Sequence, residues 1–270
     1  MFVLIAVNGI AQSITDPIRN GVLFYQIDKS EAINNRKTLI TDLMEIDYRM
    51  AVGSTDSILY STFTEGSRVT IPVEHPNFSP IFLQLQKDDK ATIIVSTDSF
   101  YKYTMLTPIP PYLHEGDSIH FYFKIYNVMN EKEYSQNEYT KAQHAREHDN
   151  EALEKYIKAY NRLQKTEKGV YYLVLNPGTG DKITNGKLVT VKYKAYLFDG
   201  KVFENNTQGY TFRMGSKEVI EGWEDGIKEM RLGSRYKLII PEKLAFGSQG
   251  TDIVPPYTSV VFEVEVIKVE

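Results

Sequence analysis

The sequence predicts an α+β protein of two similarly built domains joined by a charged helix. Three observations carry that prediction. Short segments rich in β-branched and aromatic residues recur between turn signals, with 19 Tyr and 13 Phe in the chain, and such residues suit a pleated, half-buried surface. A stretch near Glu221–Glu229 instead sets Trp223, Ile227 and Met230 at helical spacing, so a short helix lies among the strands. Residues 131–167 differ from both sides, dense in charge of both signs and free of Pro and Gly.

Taken in chain order, Phe2 to Val7 is an apolar run followed by Gly9-Ile10-Ala11. Small residues two apart after such a run resemble a signal-peptidase site, so 1–15 reads as a signal-like or disordered segment without a basic start. A first β-rich domain follows over 16–130. In the linker, Ala152, Leu153, Tyr156, Ile157, Tyr160 and Leu163 fall on one helical face, and Ser135 with Glu138 forms a capping-box pattern. The narrow apolar stripe is expected to dock on a neighbouring domain or pair with a second copy of the chain. Beyond it, strands are predicted at Gly169–Leu175, Leu188–Leu197, Tyr210–Met214, Arg235–Ile240 and Val260–Val269. Asn176-Pro177-Gly178, Asp199-Gly200 and Val254-Pro255-Pro256 mark the turns.

The first domain repeats these events in the same order, which points to an internal duplication. Gly21-Val22-Leu23-Phe24-Tyr25 answers to Gly169-Val170-Tyr171-Tyr172-Leu173, and Glu45-Ile46-Asp47-Tyr48 to Thr190-Val191-Lys192-Tyr193. Thr92-Ile93-Ile94-Val95 answers to Lys237-Leu238-Ile239-Ile240, Ile109-Pro110-Pro111-Tyr112 to Val254-Pro255-Pro256-Tyr257, and the strand around Phe121 to that around Phe262.

Composition narrows the chemistry. A net charge of −4 over 270 residues advertises no basic surface to nucleic acid, and no apolar run approaches the ~20 residues of a membrane-spanning helix. Cysteine is absent and all five His precede residue 150, so the second domain has neither a thiol nor a histidine-based triad. His144-Ala145-Arg146-Glu147-His148 has the order of an inverted zinc-peptidase motif. Its charged surroundings, however, read as a solvated helix face, and no metal or cofactor is expected.

The informative stretch is Glu218-Val219-Ile220-Glu221-Gly222-Trp223, which holds the single Trp. With Pro177-Gly178-Thr179-Gly180, Asp199-Gly200-Lys201-Val202-Phe203-Glu204, Ala245-Phe246-Gly247, Ile253-Val254-Pro255-Pro256 and Val261-Phe262-Glu263-Val264, it closely resembles the FKBP-type peptidyl-prolyl cis-trans isomerases over Gly169 to Glu270. The resemblance implies two FKBP-like domains, each a curved antiparallel sheet wrapped around a short helix: a degenerate one over 16–130, then the helical linker 131–167, then an isomerase domain over 168–270. It implies rotation about Xaa-Pro bonds of proline-containing protein or peptide clients, as a folding aid, without nucleophile or cofactor. The alternative is a non-catalytic chaperone or assembly factor that binds proline-containing segments. By analogy with envelope isomerases it also implies a periplasmic or envelope setting, the cytoplasm being the alternative, and a homodimer through the linker helix or the first domain.

Carried over residue by residue, the family's pocket would have Trp223 as its floor. Tyr193, Phe203, Val219, Ile220 and Phe262 would form its walls, and the Ile220 N–H would meet a substrate carbonyl. Tyr210 stands where the family often has Phe, Phe246 where it commonly has Tyr, and Ile253 and Val254 would lie on an overhanging loop. Glu204 replaces the usual Asp, no basic partner follows among Asn205–Gln208, and Phe246 lacks the hydroxyl donor of a Tyr, so macrolide binding is expected to be weaker. In the first domain Tyr48, Tyr60, Phe78 and Tyr101 take the places of Tyr193, Phe203, Trp223 and Phe246. Asn77-Phe78-Ser79-Pro80 replaces the Gly-Trp signature, and His114-Glu115-Gly116 is extra. That domain is expected to be structural, dimerising or client-holding.

Overall fold

The structure, a computed structural model, describes residues 22–31, 36–53, 55–63, 68–75, 78–114 and 116–270. The signal-like segment lies outside them, as do Gly21, Asn77 and Glu115 of the motifs above. Two compact units, Met1–Asn137 and Glu138–Glu270, divide the chain.

The first unit contains β1 (Val22–Asp28), β2 (Leu43–Val52), β3 (Ser57–Ser61), β4 (Val69–Pro72), α1 (Ser79–Phe82), β5 (Lys90–Ser96), α2 (Thr97–Phe100) and β6 (Ser118–Met129). A turn of π-helix, Tyr101–Met105, continues α2. Strand order is β1-β5-β6-β2-β3, with β4 also on β2 and every pair antiparallel. Along β6, Ile119, Phe121, Phe123 and Ile125 are buried at every second position, the period that turns one face of a strand to the core. Pro80 sits in the first turn of α1, where a missing N–H removes no intrahelical bond.

Helix α3 follows at Glu131–Lys158, ending before the 131–167 span expected for it. Its cap also differs from expectation. Asn130 N–H donates to Glu133 Oε2 at 2.8 Å, and Glu133 N–H donates to Asn130 Oδ1 at 2.9 Å. This reciprocal box starts the helix five residues before Ser135, because Asn130 directly follows the last residue of β6 and satisfies the first free donors.

The second unit adds β7 (Gln164–Lys165), β8 (Tyr171–Asn176), β9 (Leu188–Tyr196), β10 (Val202–Arg213), α4 (Glu221–Ile227), β11 (Arg235–Ile240) and β12 (Val260–Val269), with a 3-10 turn at Glu242–Leu244. Its order, β10-β9-β12-β11-β8-β7, reproduces the first sheet strand for strand and adds β7 at one edge. The duplication is therefore one of topology. One register of the sequence alignment needs correction. Tyr25 lies opposite Ile93, as Tyr172 lies opposite Leu238, so Tyr25 answers to Tyr172 rather than Phe24. A slip of one residue would turn that strand's buried side chains to the opposite face. β10 is also longer than the predicted Tyr210–Met214, because Val202–Asn206 pairs with β9 ahead of a bulge between Asn206 and Tyr210.

One face of the second sheet closes over α4 around Val189, Val191, Leu238, Phe262 and Val264. On Ile239 and Val261 lies Leu153 of α3, with Tyr156, Ile157, Tyr160 and Leu163 around it. Tyr156 stacks on Phe198 with ring centroids 4.4 Å apart. The apolar stripe of the linker thus docks within its own chain.

In the first unit, burial lowers the pKa of both His75 and His120, a nearby Asp56 opposing it at His120. The unfolded chain then binds more protons near the ordinary histidine value, so their contribution is full above about pH 6.5 and lost as pH falls below it. The urea midpoint of the transition not shared by Trp223 emission is expected to be lower at about pH 5.5 than at about pH 7.5. His75→Gln is expected to shrink that difference.

Candidate active site

α4 lies on β11 with almost no clearance. A Cβ at Gly222 would come 2.3 Å from Ile240 Cγ2, and one at Gly226 would come 2.7 Å from Leu238 Cδ1. Only glycine permits that approach, and it lowers Trp223, between them in sequence, into the sheet. The preceding loop is tied to the helix by Glu224, whose Oε1 accepts the N–H of Gly215 and of Lys217, each at 3.1 Å. Trp223 is 3% exposed. Tyr193 meets it edge-on at 4.8 Å and Phe262 at 5.4 Å between centroids, a geometry in which aromatic quadrupoles attract, and Phe212 lies tilted against it at 5.6 Å. Its indole N–H is buried and finds no acceptor among the described residues.

Above the indole is a cavity of about 280 Å³ lined by Tyr193, Glu204, Tyr210, Glu218, Val219, Ile220, Trp223, Phe246 and Phe262. These residues come from β9, β10, β12, the start of α4 and the segment after the 3-10 turn, so only the folded sheet brings them together. Phe203 stands behind the wall instead of lining it, packed edge-on against Phe246 at 6.1 Å and Phe262 at 5.9 Å. Val254 departs further from expectation. It is fully buried in the core, and its carbonyl accepts the Thr251 N–H at 2.8 Å. The tight turn at Gly250 (φ +60°) leaves a Cβ there only 2.4 Å from Val254 O, which draws Val254 inward while Ile253 stays 47% exposed. Glu218, beside the Val219-Ile220 pair, lines the cavity without having been singled out. Its position next to that pair was the available signal.

The polar groups of the cavity are few. Tyr193 donates its hydroxyl to Glu204, so a phenol occupies this carboxylate where no cation follows in sequence. Burial first, and then that bond, push the Tyr193 pKa above its ordinary 10. Ile220 opens α4 at φ −58°, ψ 147° without a side-chain cap. Its N–H, at a helix start where donors lack intrahelical partners, bonds to no other backbone group among the described residues. The arrangement is an apolar, aromatic-floored cleft with one free backbone donor at its edge. It suits a ring-shaped apolar group next to a carbonyl.

Residues 180–267 match the family model described as FKBP-type peptidyl-prolyl cis-trans isomerase. The chain carries an FKBP-type domain. The FKBP-type peptidyl-prolyl cis-trans isomerase FkpA of Escherichia coli is 36% identical over 128 residues, 45% of this chain and 47% of that protein. FkpA of Buchnera aphidicola is 32% identical over 120 residues, 43% of this chain and 50% of that protein. The chain thus spans about half the length of these curated relatives. Among solved structures, a peptidyl-prolyl cis-trans isomerase from Pseudomonas syringae pathovar tomato is similar at 34% identity, covering 48% of this chain and 96% of that one, with a TM-score of 0.44.

The corresponding positions of the first unit are packed differently. Phe78, at the place of Trp223, is buried against Phe121 at 5.4 Å and Phe82 at 5.8 Å, with His75 stacked on it at 4.8 Å. Tyr101 is buried edge-on to Phe100, while Tyr60 contacts Tyr48 at 5.2 Å and is 41% exposed.

Gly222→Ala is expected to destabilise the second unit by about 1–3 kcal/mol, the usual consequence of overpacking, read as a lower urea midpoint by Trp223 emission. Tyr193→Phe is expected to lose only about 0.5–1.5 kcal/mol, because the exposed Glu204 carboxylate regains water. The wild-type advantage over that variant is expected to hold from neutral pH to about pH 10 and to fade as alkali carries Tyr193 through its raised pKa.

Proposed function

We propose that the second unit catalyses cis-trans rotation about Xaa-Pro bonds of protein or peptide clients. The observation that carries this reading is the Trp223-floored cavity with the Ile220 N–H at its edge. Amide resonance sets a rotation barrier near 18–20 kcal/mol, and uncatalysed Xaa-Pro bonds exchange over tens to hundreds of seconds. The twisted transition state has lost much of the amide dipole. A cleft that takes the proline ring on an indole and walls it with Tyr193, Val219, Ile220 and Phe262 therefore favours it over the hydrated planar state. A donor that holds the neighbouring carbonyl fixes one side of the bond while the other rotates. A ~10⁴-fold acceleration needs about 5.5 kcal/mol. No proton transfer or bond cleavage is required, consistent with residues 168–270, which contain neither His nor Cys.

On this reading the first unit, with Phe78 and its neighbours packed on one another, serves as scaffold or client-holding surface. The apolar run Phe2 to Val7 with Gly9-Ile10-Ala11 supports an extracytoplasmic setting for folding assistance. No helix among the described residues is long and apolar enough to cross a membrane.

The test is cis-to-trans turnover of an Xaa-Pro peptide by the full chain. Ile220→Pro removes the N–H at a φ that proline adopts and is expected to lower kcat/KM about tenfold, or ~1.4 kcal/mol. Ile220→Ala keeps the donor and is expected to lose less. Wild-type protein that binds the peptide, by Trp223 emission, without raising the rate above background would overturn catalysis in favour of a proline-binding chaperone.

A further inference from the structure

The helix that precedes the FKBP-type domain holds a charged group in the interior of the second unit. Asp149 of α3 is 7% exposed. Its Oδ1 accepts the Ser259 N–H at 2.7 Å, and its Oδ2 accepts the Ser259 hydroxyl at 2.6 Å. Ser259 is itself fully buried, and its Oγ accepts the Glu242 N–H at 3.1 Å. One turn earlier, Arg146 pairs with Glu242 Oε1 at 3.5 Å and lies 4.7 Å over the ring of Tyr257. A buried carboxylate is tolerated only when its oxygens are well bonded, and bonds to an ionised acceptor are the strong ones.

Glu242 and Ser259 are the two ends of the strap that leaves β11 and returns as β12. That strap carries Phe246 into the cavity wall, and Phe262 follows three residues after Ser259. Its own cross-links, Gly247 N–H to Glu242 O at 3.1 Å and Tyr257 N–H to Gly247 O at 2.8 Å, close the loop only if its ends stay together. Tyr257 holds the left-handed region at φ +55°, a conformation that neighbours must enforce in a non-glycine residue. α3 lies outside the family match at 180–267, so nothing in that match assigns it a part in the pocket.

We propose that Asp149 is a positioning residue for the candidate site: through Ser259 it joins both ends of the strap and so keeps the Phe246 wall in place. This rests on the isomerase reading for its kinetic consequence but not for its structural one. The wall contacts substrate in ground and transition state alike, so its loosening acts on KM more than on kcat.

The test uses the full chain with Asp149→Ala, Asp149→Asn and, as control, Leu153→Ala. The control loosens α3 from Ile239 and Val261 without touching Ser259. Asp149→Ala is expected to raise KM for an Xaa-Pro peptide about fivefold with kcat within about twofold. Asp149→Asn, which keeps an acceptor for the Ser259 N–H, should recover most of the loss, and Leu153→Ala should leave KM unchanged. Hydrogen exchange gives a readout independent of turnover. In Asp149→Ala the amides of Gly247, Thr251 and Tyr257 should exchange at least about tenfold faster relative to those of β12, and in Leu153→Ala they should not. Should Asp149→Ala fail to fold, Ser259→Ala, which removes the hydroxyl that joins Asp149 to the Glu242 N–H, should show the same pattern of faster strap exchange. Unchanged strap exchange in the Asp149 and Ser259 variants, or an equal effect from Leu153→Ala, overturns the proposal. Absence of turnover in the wild type with strap exchange still accelerated overturns the isomerase reading and leaves the clamp standing.

Discussion

The closeness of α4 to β11 sets the depth of the Trp223 indole, and the rest of the candidate site is arranged around that depth. Two glycines four residues apart bring a short helix within van der Waals contact of Leu238 and Ile240. Trp223 then buries its ring among Tyr193, Phe212 and Phe262 and still forms the floor of an open cavity. A Cβ at either glycine would lift the helix, and the floor with it. The apolar lining follows from the same geometry, because every strand that surrounds the indole turns an alternate, inward residue toward it.

The two central strands of this sheet are covered on both sides. Leu238 and Phe262 face α4, while Ile239 and Val261 are covered by Leu153 of α3. Burial on both faces explains why β11 and the start of β12 read as near-continuous apolar runs in place of strict alternation. It also makes the linker helix part of the second unit's interior, where Asp149 can reach Ser259. A helix that looks like a solvated connector by composition is, over its C-terminal half, a structural layer of the second unit.

The two units carry one topology and fill it differently. Where the second has Trp223 under an open cavity, the first has Phe78 in edge contact with Phe82 and Phe121, and its equivalent of β10 is divided into β3 and β4. The same sheet therefore supports a lined cleft in one case and an aromatic cluster in the other. The difference lies in the residues at the start of the short helix: Gly222-Trp223 in one, Phe78-Ser79-Pro80 in the other.

Much of this was legible from residue order. β-branched and aromatic runs between Gly and Pro turns marked β11 and β12 at their observed ends, and helical spacing marked α4, because local patterning and the buried face coincide there. The family's motifs pointed to most residues that line the candidate cavity, and also to Phe203, Ile253 and Val254, which do not line it, and shared order pointed to the repeated strand order. Other features depend on partners distant in sequence. The burial of Val254 is set by the Gly250 turn, and the pairing of Val202–Asn206 by β9 across a bulge. The match of Tyr25 to Tyr172 is set by cross-strand register, and the start of α3 by where β6 ends. Asp149 shows the division most plainly. In sequence it is one acid in a charged helix, and only the fold, which brings Ser259 to it across 110 residues, makes it the buried anchor of a strap.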